Sequence, residues 1–318
     1  MKTIAFLSLA ALAFAQTKLT KADVDRWTRE LSNAGRWGAD DQKGAVNLIT
    51  AERRKASARL VREGITVSLA RPLDFEKAAD NGSPYVREMT STGEKPTSGA
   101  GMDKFEVSYH GWAHTHMDAL SHIFFEGKMY NGFPQTEVTK AGAQKLDVAN
   151  YREGIVARGV LFDIPRLKGV PYMEPGDAIY PEDLDAWVKK AGIRMRSGDV
   201  MLVRTGRWAR RAAKGPWNLG AGAPGLYVST MPWIRKADVA ILGSDATSDV
   251  LPSRIEGVFL PVHRLAIVAL GMPLLDNCDF EALAETAARL KRWEFQIVIA
   301  PLPSPGGTGS PVNPIAIF

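Results

Sequence analysis

The chain has 318 residues, of which 45% are hydrophobic, 24% charged and 8% aromatic, proportions of an ordinary globular protein that exclude a disordered or collagen-like chain. The net charge of +5 comes from Lys and Arg interspersed with Asp and Glu, which argues against a nucleic-acid-binding surface. The lone Cys278 excludes an internal disulfide and a cysteine zinc cluster, and fits a small hydrophobic role better than a catalytic thiol.

Residues 1–15, MKTIAFLSLAALAFA, combine Lys2, an apolar stretch from Ile4 to Leu12 and the small-x-small run Ala13-Phe14-Ala15. That is the pattern of a secretory signal; a buried N-terminal helix is the alternative. The stretch is shorter than the roughly 20 residues a membrane-spanning helix needs, and no later segment reaches that length. The mature protein is expected to begin near Gln16, to be exported (secreted or periplasmic) and to form one domain over residues 16–318 without membrane contact.

Two helices are expected first. KADVDRWTRELSNAG places Val24, Trp27 and Leu31 at helical spacing before Gly35, and ITAERRKASARLVREG runs from a helix-starting Thr50 to Gly64. From residue 66 short β runs dominate: ITVSLARPL, RGVLFDIP, GDVMLVRTG, ADVAILGSD and FQIVIAPL. Between several of them lie the helical stretches PEDLDAWVKKAG, VSTMPWIRKA and DFEALAETAARLKRW, so the chain reads as mixed α/β. RTGRWARRAAK, from Arg204 to Lys214, spaces its cations like the wet side of a helix. Residues 77–103 and 217–225, rich in Gly and Pro, read as long functional loops or lids.

The run HGWAHTHMDALSH, residues 110–122, holds four of the five histidines. Read as a strand, it turns its even positions to one face: His110, Trp112, His114, His116 and Asp118. Imidazoles and a carboxylate at alternate positions suit zinc, manganese or iron(II). A hydrogen-bonded surface cluster or a pH-sensing group is the alternative. Trp112, Phe124, Phe125 and Tyr130 would form an apolar wall or core, with core preferred for the two phenylalanines.

Thr115-His116-x-Asp118-x-x-x-His122 resembles part of the motif His-x-Gly-Thr-His-x-Asp-x-Pro-x-His of the metal-dependent cyclase superfamily, which includes bacterial kynurenine formamidase and isatin hydrolase. Further similar segments run from GRWGADDQKGAVNLIT to the closing GGTGSPVNPIAIF. The resemblance implies a swivelling β/β/α fold with a mixed sheet core and flanking helices, assembled as homodimers or homotetramers. It implies hydrolysis of the C–N bond of a small amide or lactam by metal-activated water, with His122 as general acid/base and His116 and Asp118 as metal ligands. Trp112 stands where the family has its first metal-binding histidine, His114 where it has glycine, and Leu120 where it has proline. His114 is therefore expected to supply the missing ligand.

His263 in PVHRL matches the histidine that serves a second metal in the family, and Asp276 in LLDNCDF stands at the corresponding acid, one methylene shorter than glutamate. The expectation is one divalent ion per chain, zinc or manganese. A lyase, isomerase or cyclase built on the same metal, and an exported binding protein without turnover, are the competing readings.

Overall fold

The structure, a computed structural model, describes residues 19–95 and 99–318; the signal expected at residues 1–15 lies outside them. A nine-stranded mixed sheet runs through the molecule. Its strands in chain order are β1 (Thr66–Ser68), β2 (His116–Asp118), β3 (Ile155–Asp163), β4 (Val200–Arg204), β5 (Ile241–Ser244), β6 (Leu274–Asp276), β7 (Glu294–Ile299), β8 (Gly309–Pro311) and β9 (Ile315–Ile317). They lie side by side as β1-β9-β7-β3-β4-β5-β6-β2-β8.

Strands β3 to β6 are parallel, and antiparallel strands extend the sheet on both sides. Sequence explains the division. Every residue of VMLVR in β4 is buried, as a parallel strand covered on both faces requires, whereas β7 alternates between buried and half-buried positions.

Helices flank the sheet, as the α/β pattern predicts. Helix Lys21–Glu30 starts at Thr20, whose side chain accepts from the Asp23 amide while Asp23 bonds back to the Thr20 amide, a reciprocal cap. Helix Ala51–Ala58 starts at Thr50. Both end short of the glycines expected to stop them. Helix Pro181–Ala191 ends at Gly192, which takes the left-handed conformation at φ 64°. Its Trp187 is buried and donates from Nε1 to the Leu161 carbonyl at 2.8 Å, fastening the helix to β3.

Three expectations need correction. The segment 77–103 is not one loop: Val86–Ser91 and Met102–Glu106 pair as an antiparallel ribbon. Phe124 is exposed and Phe125 half-buried beneath the Arg264 guanidinium, so neither is core. The basic stretch forms helix Arg207–Lys214 only in part, for Arg204 ends β4 and is buried, and the helix's first cation does not face water either. Arg207 is 0% exposed. Its Nη1 donates to Asn277 Oδ1 at 2.5 Å, its Nη2 to the Trp112 carbonyl, and Asp80 Oδ2 stands 3.4 Å away. Arg211 Nε reaches the same Asp80 at 2.7 Å. A buried charge persists only when paired and hydrogen-bonded, so Arg207 holds residue 80, the histidine-rich loop and the end of β6 against one another.

Candidate metal centre

Strand β2 lies between β6 and β8, and its register assembles the site. Asp276 of β6 is opposite His116, and Gly309 of β8 is opposite Asp118. Side chains alternate along a strand, so His116 and Asp118 share one face while Met117 enters the core from the other, fully buried.

Asp118 is at the centre. Its side chain is 1% exposed, with His110 Nδ1 3.0 Å, His116 Nε2 3.4 Å and His122 Nε2 4.0 Å from Oδ1, and His263 Nε2 3.8 Å from Oδ2. Despite this company, neither carboxylate oxygen accepts a hydrogen bond of acceptable geometry. Buried polar atoms are rarely left so. Four ring nitrogens crowd this one anion, a donor set of the kind that binds a cation. Among the described residues, two groups each offer ligand atoms that lie within 4.8 Å of one another: His110, Asp118 and His122, and the buried His116, Asp118 and Asp276. The residues fit a divalent ion bound by imidazole and carboxylate.

The surrounding hydrogen bonds orient these ligands. His116 Nδ1 lies 2.9 Å from the His114 carbonyl; a carbonyl can only accept, so Nδ1 carries a proton and Nε2 is the nitrogen left to face Asp118. His263 Nδ1 lies 2.6 Å from Asp249 Oδ2 and its Nε2 3.1 Å from Asp276 Oδ2. Burial opposes charge on His263, but Asp276 and Asp249 outweigh it and hold the ring's pKa well above its ordinary value. Carboxylates that favour a proton here would also favour a metal cation. Asp249 is fixed by the Val262 and His263 amides, which donate at 2.7 and 3.1 Å, and Ser248 Oγ donates to Asp276 Oδ1 at 2.8 Å.

Asp249 was not foreseen; its faint signal is the repeated Ser-Asp of SDATSDV after β5. Asp249→Asn is expected to weaken metal affinity about 10- to 100-fold in a chelator competition titration. Unchanged affinity would reduce Asp249 to a helix-entry cap.

His122 lies beside His110, their rings stacked at 4.0 Å between centroids and 1° between planes. Its side chain is 26% exposed. Burial, reinforced by the imidazoles of His110, His263 and His116 against the opposing charge of Asp118, pushes its pKa down to about 4. At neutral pH it is an uncharged base with a route to solvent.

The structure does not bring His114 to the cluster. The extended conformation begins only at His116, and residues 110–114 form bends, so strand alternation does not hold across them. His114 is buried elsewhere, in neither set of converging ligand atoms. The added imidazole is His110, whose Nε2 is hydrogen-bonded to Thr308 Oγ1 at 3.0 Å. Trp112 packs into a separate apolar cluster with Trp217, Leu219 and Leu251. His263 and Asp276, expected to serve a second ion, stand against Asp118 and His116 themselves.

Glycine at 309 makes room for His110. A Cβ there would lie 3.0 Å from His110 Cε1 and 2.6 Å from the Met117 carbonyl oxygen. Gly309→Ala is expected to cost about 1–3 kcal/mol by overpacking, seen as a lower urea midpoint at unchanged slope. An unchanged midpoint would show that β2 and β8 separate freely.

The Cyclase family model matches residues 65–249. A crystal structure described as a novel cyclase is 33% identical, with 92% of this chain and 99% of that chain covered and a TM-score of 0.82. Isatin hydrolase A from Ralstonia solanacearum is similar at 21% identity, 84% and 97% coverage and a TM-score of 0.56. An isatin hydrolase bound to the product analogue thioisatinate is similar at 16% identity, 85% and 99% coverage and a TM-score of 0.57. No curated protein sequence matches. The two isatin hydrolases share the fold. By the family model and the 33% identical structure, over a mixed sheet with the expected flanking helices, this chain belongs to the Cyclase family.

Proposed function

We propose that the protein is a metal-dependent hydrolase that cleaves the C–N bond of a small amide or lactam. The observation that carries this reading is the buried Asp118 carboxylate, unsatisfied by hydrogen bonds and surrounded by four imidazoles. His116, Asp118 and Asp276 would hold one divalent ion, zinc or manganese. Bound there, the ion lowers the pKa of a water toward ~7 and polarises a carbonyl oxygen. The substrate class is taken from the isatin hydrolases that share the fold.

His122 supplies the proton transfers. Neutral above about pH 4, it accepts a proton from water as the water oxygen bonds to the carbonyl carbon, then returns it to the leaving nitrogen as the C–N bond breaks. Carboxylate and amine result. His110, stacked on His122, limits that ring's orientation.

Elemental mass spectrometry of purified protein beside His116→Ala, followed by an amide and lactam screen in ¹⁸O-water, tests the reading. About one ion per chain, lost in the variant, with one solvent oxygen in the product is the expected result. A product without solvent oxygen would make the enzyme a lyase or isomerase, and absence of metal after zinc and manganese are offered would remove the hydrolase reading altogether.

Export after cleavage near Gln16 is part of the proposal, supported by the pattern of residues 1–15. So is a homodimer or homotetramer, supported by apolar side chains exposed on the ribbon, Met89 and Phe105 on one face and Val86 and Met102 on the other.

A further inference from the structure

The ribbon of Val86–Ser91 and Met102–Glu106 stands apart from the main sheet, and every residue of its second strand is exposed. Among the described residues, the backbone of Met102–Glu106 pairs only with Val86–Ser91, so its outer edge offers N–H and C=O groups to a further strand. Two strands alone are marginally stable in water; three or more with an apolar face hold together. The opposite edge is a poorer template. Its register shifts between Met89 and Ser91, an irregularity that turns a strand away from a partner.

One face carries exposed rings. Phe105, opposite Arg87 and 58% exposed, lies 5.8 Å from Tyr85 between ring centroids, and Tyr85 meets Phe75 edge-on at 4.8 Å. Phe75 is 52% exposed. The row of rings thus ends on the strand whose edge is open.

Charge selects the partner. Opposite residues in a sheet share a face, so two copies of this strand joined antiparallel about a two-fold axis set one residue against its own copy. With Asp103, Lys104 or Glu106 at the axis, like charges oppose. With Phe105 there, Lys104 faces Glu106 of the second copy, Glu106 faces Lys104 of the second copy, and the two Phe105 rings meet on the other face. Lys104 can make this exchange, because its partner within the chain is Glu88, 2.9 Å away with both side chains more than half exposed, and such pairs contribute little.

We propose that the outer edge of Met102–Glu106 joins two copies of this chain, paired antiparallel about a two-fold axis at Phe105, so that two ribbons form one four-stranded sheet. The inference rests on the homo-oligomer reading and names the surface that builds it.

Sedimentation velocity over a concentration series at physiological ionic strength, comparing the wild type with Lys104→Glu, Glu106→Lys and the double reversal, tests the pairing. Each single reversal sets two like-charged pairs across the contact and should weaken association at least about tenfold, splitting a dimer into monomers or a tetramer into dimers. The double reversal re-forms both pairs with their signs exchanged and should restore association to within about threefold of the wild type. Lys104→Glu also loses the contact with Glu88, but so does the double reversal, so the restoration cannot arise within one chain. Amide exchange over residues 102–106 should slow as the wild type associates.

An assembly indifferent to all three variants would overturn the ribbon contact and leave the oligomer standing on another surface. Weakening that the double reversal does not repair, or amide exchange over 102–106 that ignores concentration across the association range, would overturn the pairing about Phe105. A wild type that sediments as a monomer throughout would overturn both the contact and the oligomer.

Discussion

Asp118→Ala is expected to release the metal and abolish turnover. Of the groups around the centre, only Asp118 touches both converging sets of ligand atoms, and it is the anion beside four imidazoles. Without it, Asp276 is the one carboxylate left in either set, and it is already engaged by His263 Nε2 at 3.1 Å and Ser248 Oγ at 2.8 Å. Asp118→Asn should fail similarly, because the amide preserves shape but not charge. Elemental analysis gives the primary result, and thermal unfolding gives a second. An ion that binds only the native state at 100 times its dissociation constant stabilises it by about 2.7 kcal/mol, so zinc or manganese should raise the midpoint of the wild type and leave Asp118→Ala unmoved. Full metal occupancy in Asp118→Ala would assign the carboxylate a structural role.

His122→Ala is expected to separate chemistry from metal binding. His122 belongs to the more exposed ligand set, and its Nε2 is 4.0 Å from Asp118 Oδ1. The buried set of His116, Asp118 and Asp276 does not need it. Metal content should therefore remain at the wild-type level while kcat falls about 100- to 10,000-fold, the span of a lost general acid/base. His122→Gln, which can hydrogen-bond but cannot shuttle a proton in this range, should be equally impaired. Full activity in either variant would move the base to another group, with His110 next by geometry. Loss of metal would instead make His122 a ligand and imply that both sets are occupied.

Much of the centre was legible because it lies within one short segment. His116, Asp118 and His122 keep a fixed spacing whatever surrounds them, and two-residue alternation puts the first two on one face wherever the chain is extended. The same rule failed for His114. Alternation holds only while the backbone stays extended, and the pairing with β6 and β8 that keeps it so begins at His116. Nothing local marks that boundary.

The amino-acid sequence by itself determined the mixed α/β class, from the alternation of apolar runs with capped helices, and the donor types of the candidate metal centre, from imidazoles and a carboxylate at short spacing. The tertiary structure alone decided the membership and surroundings of the site. It set Asp276 across from His116, brought Asp249 behind His263, exchanged His114 for His110 and buried Arg207 under the histidine-rich loop. Those relations join residues 14 to 160 positions apart, from Asp249 and His263 to His116 and Asp276. They depend on strand register and on where a buried charge finds its partners, both set by the packing of the whole sheet and not by any one segment.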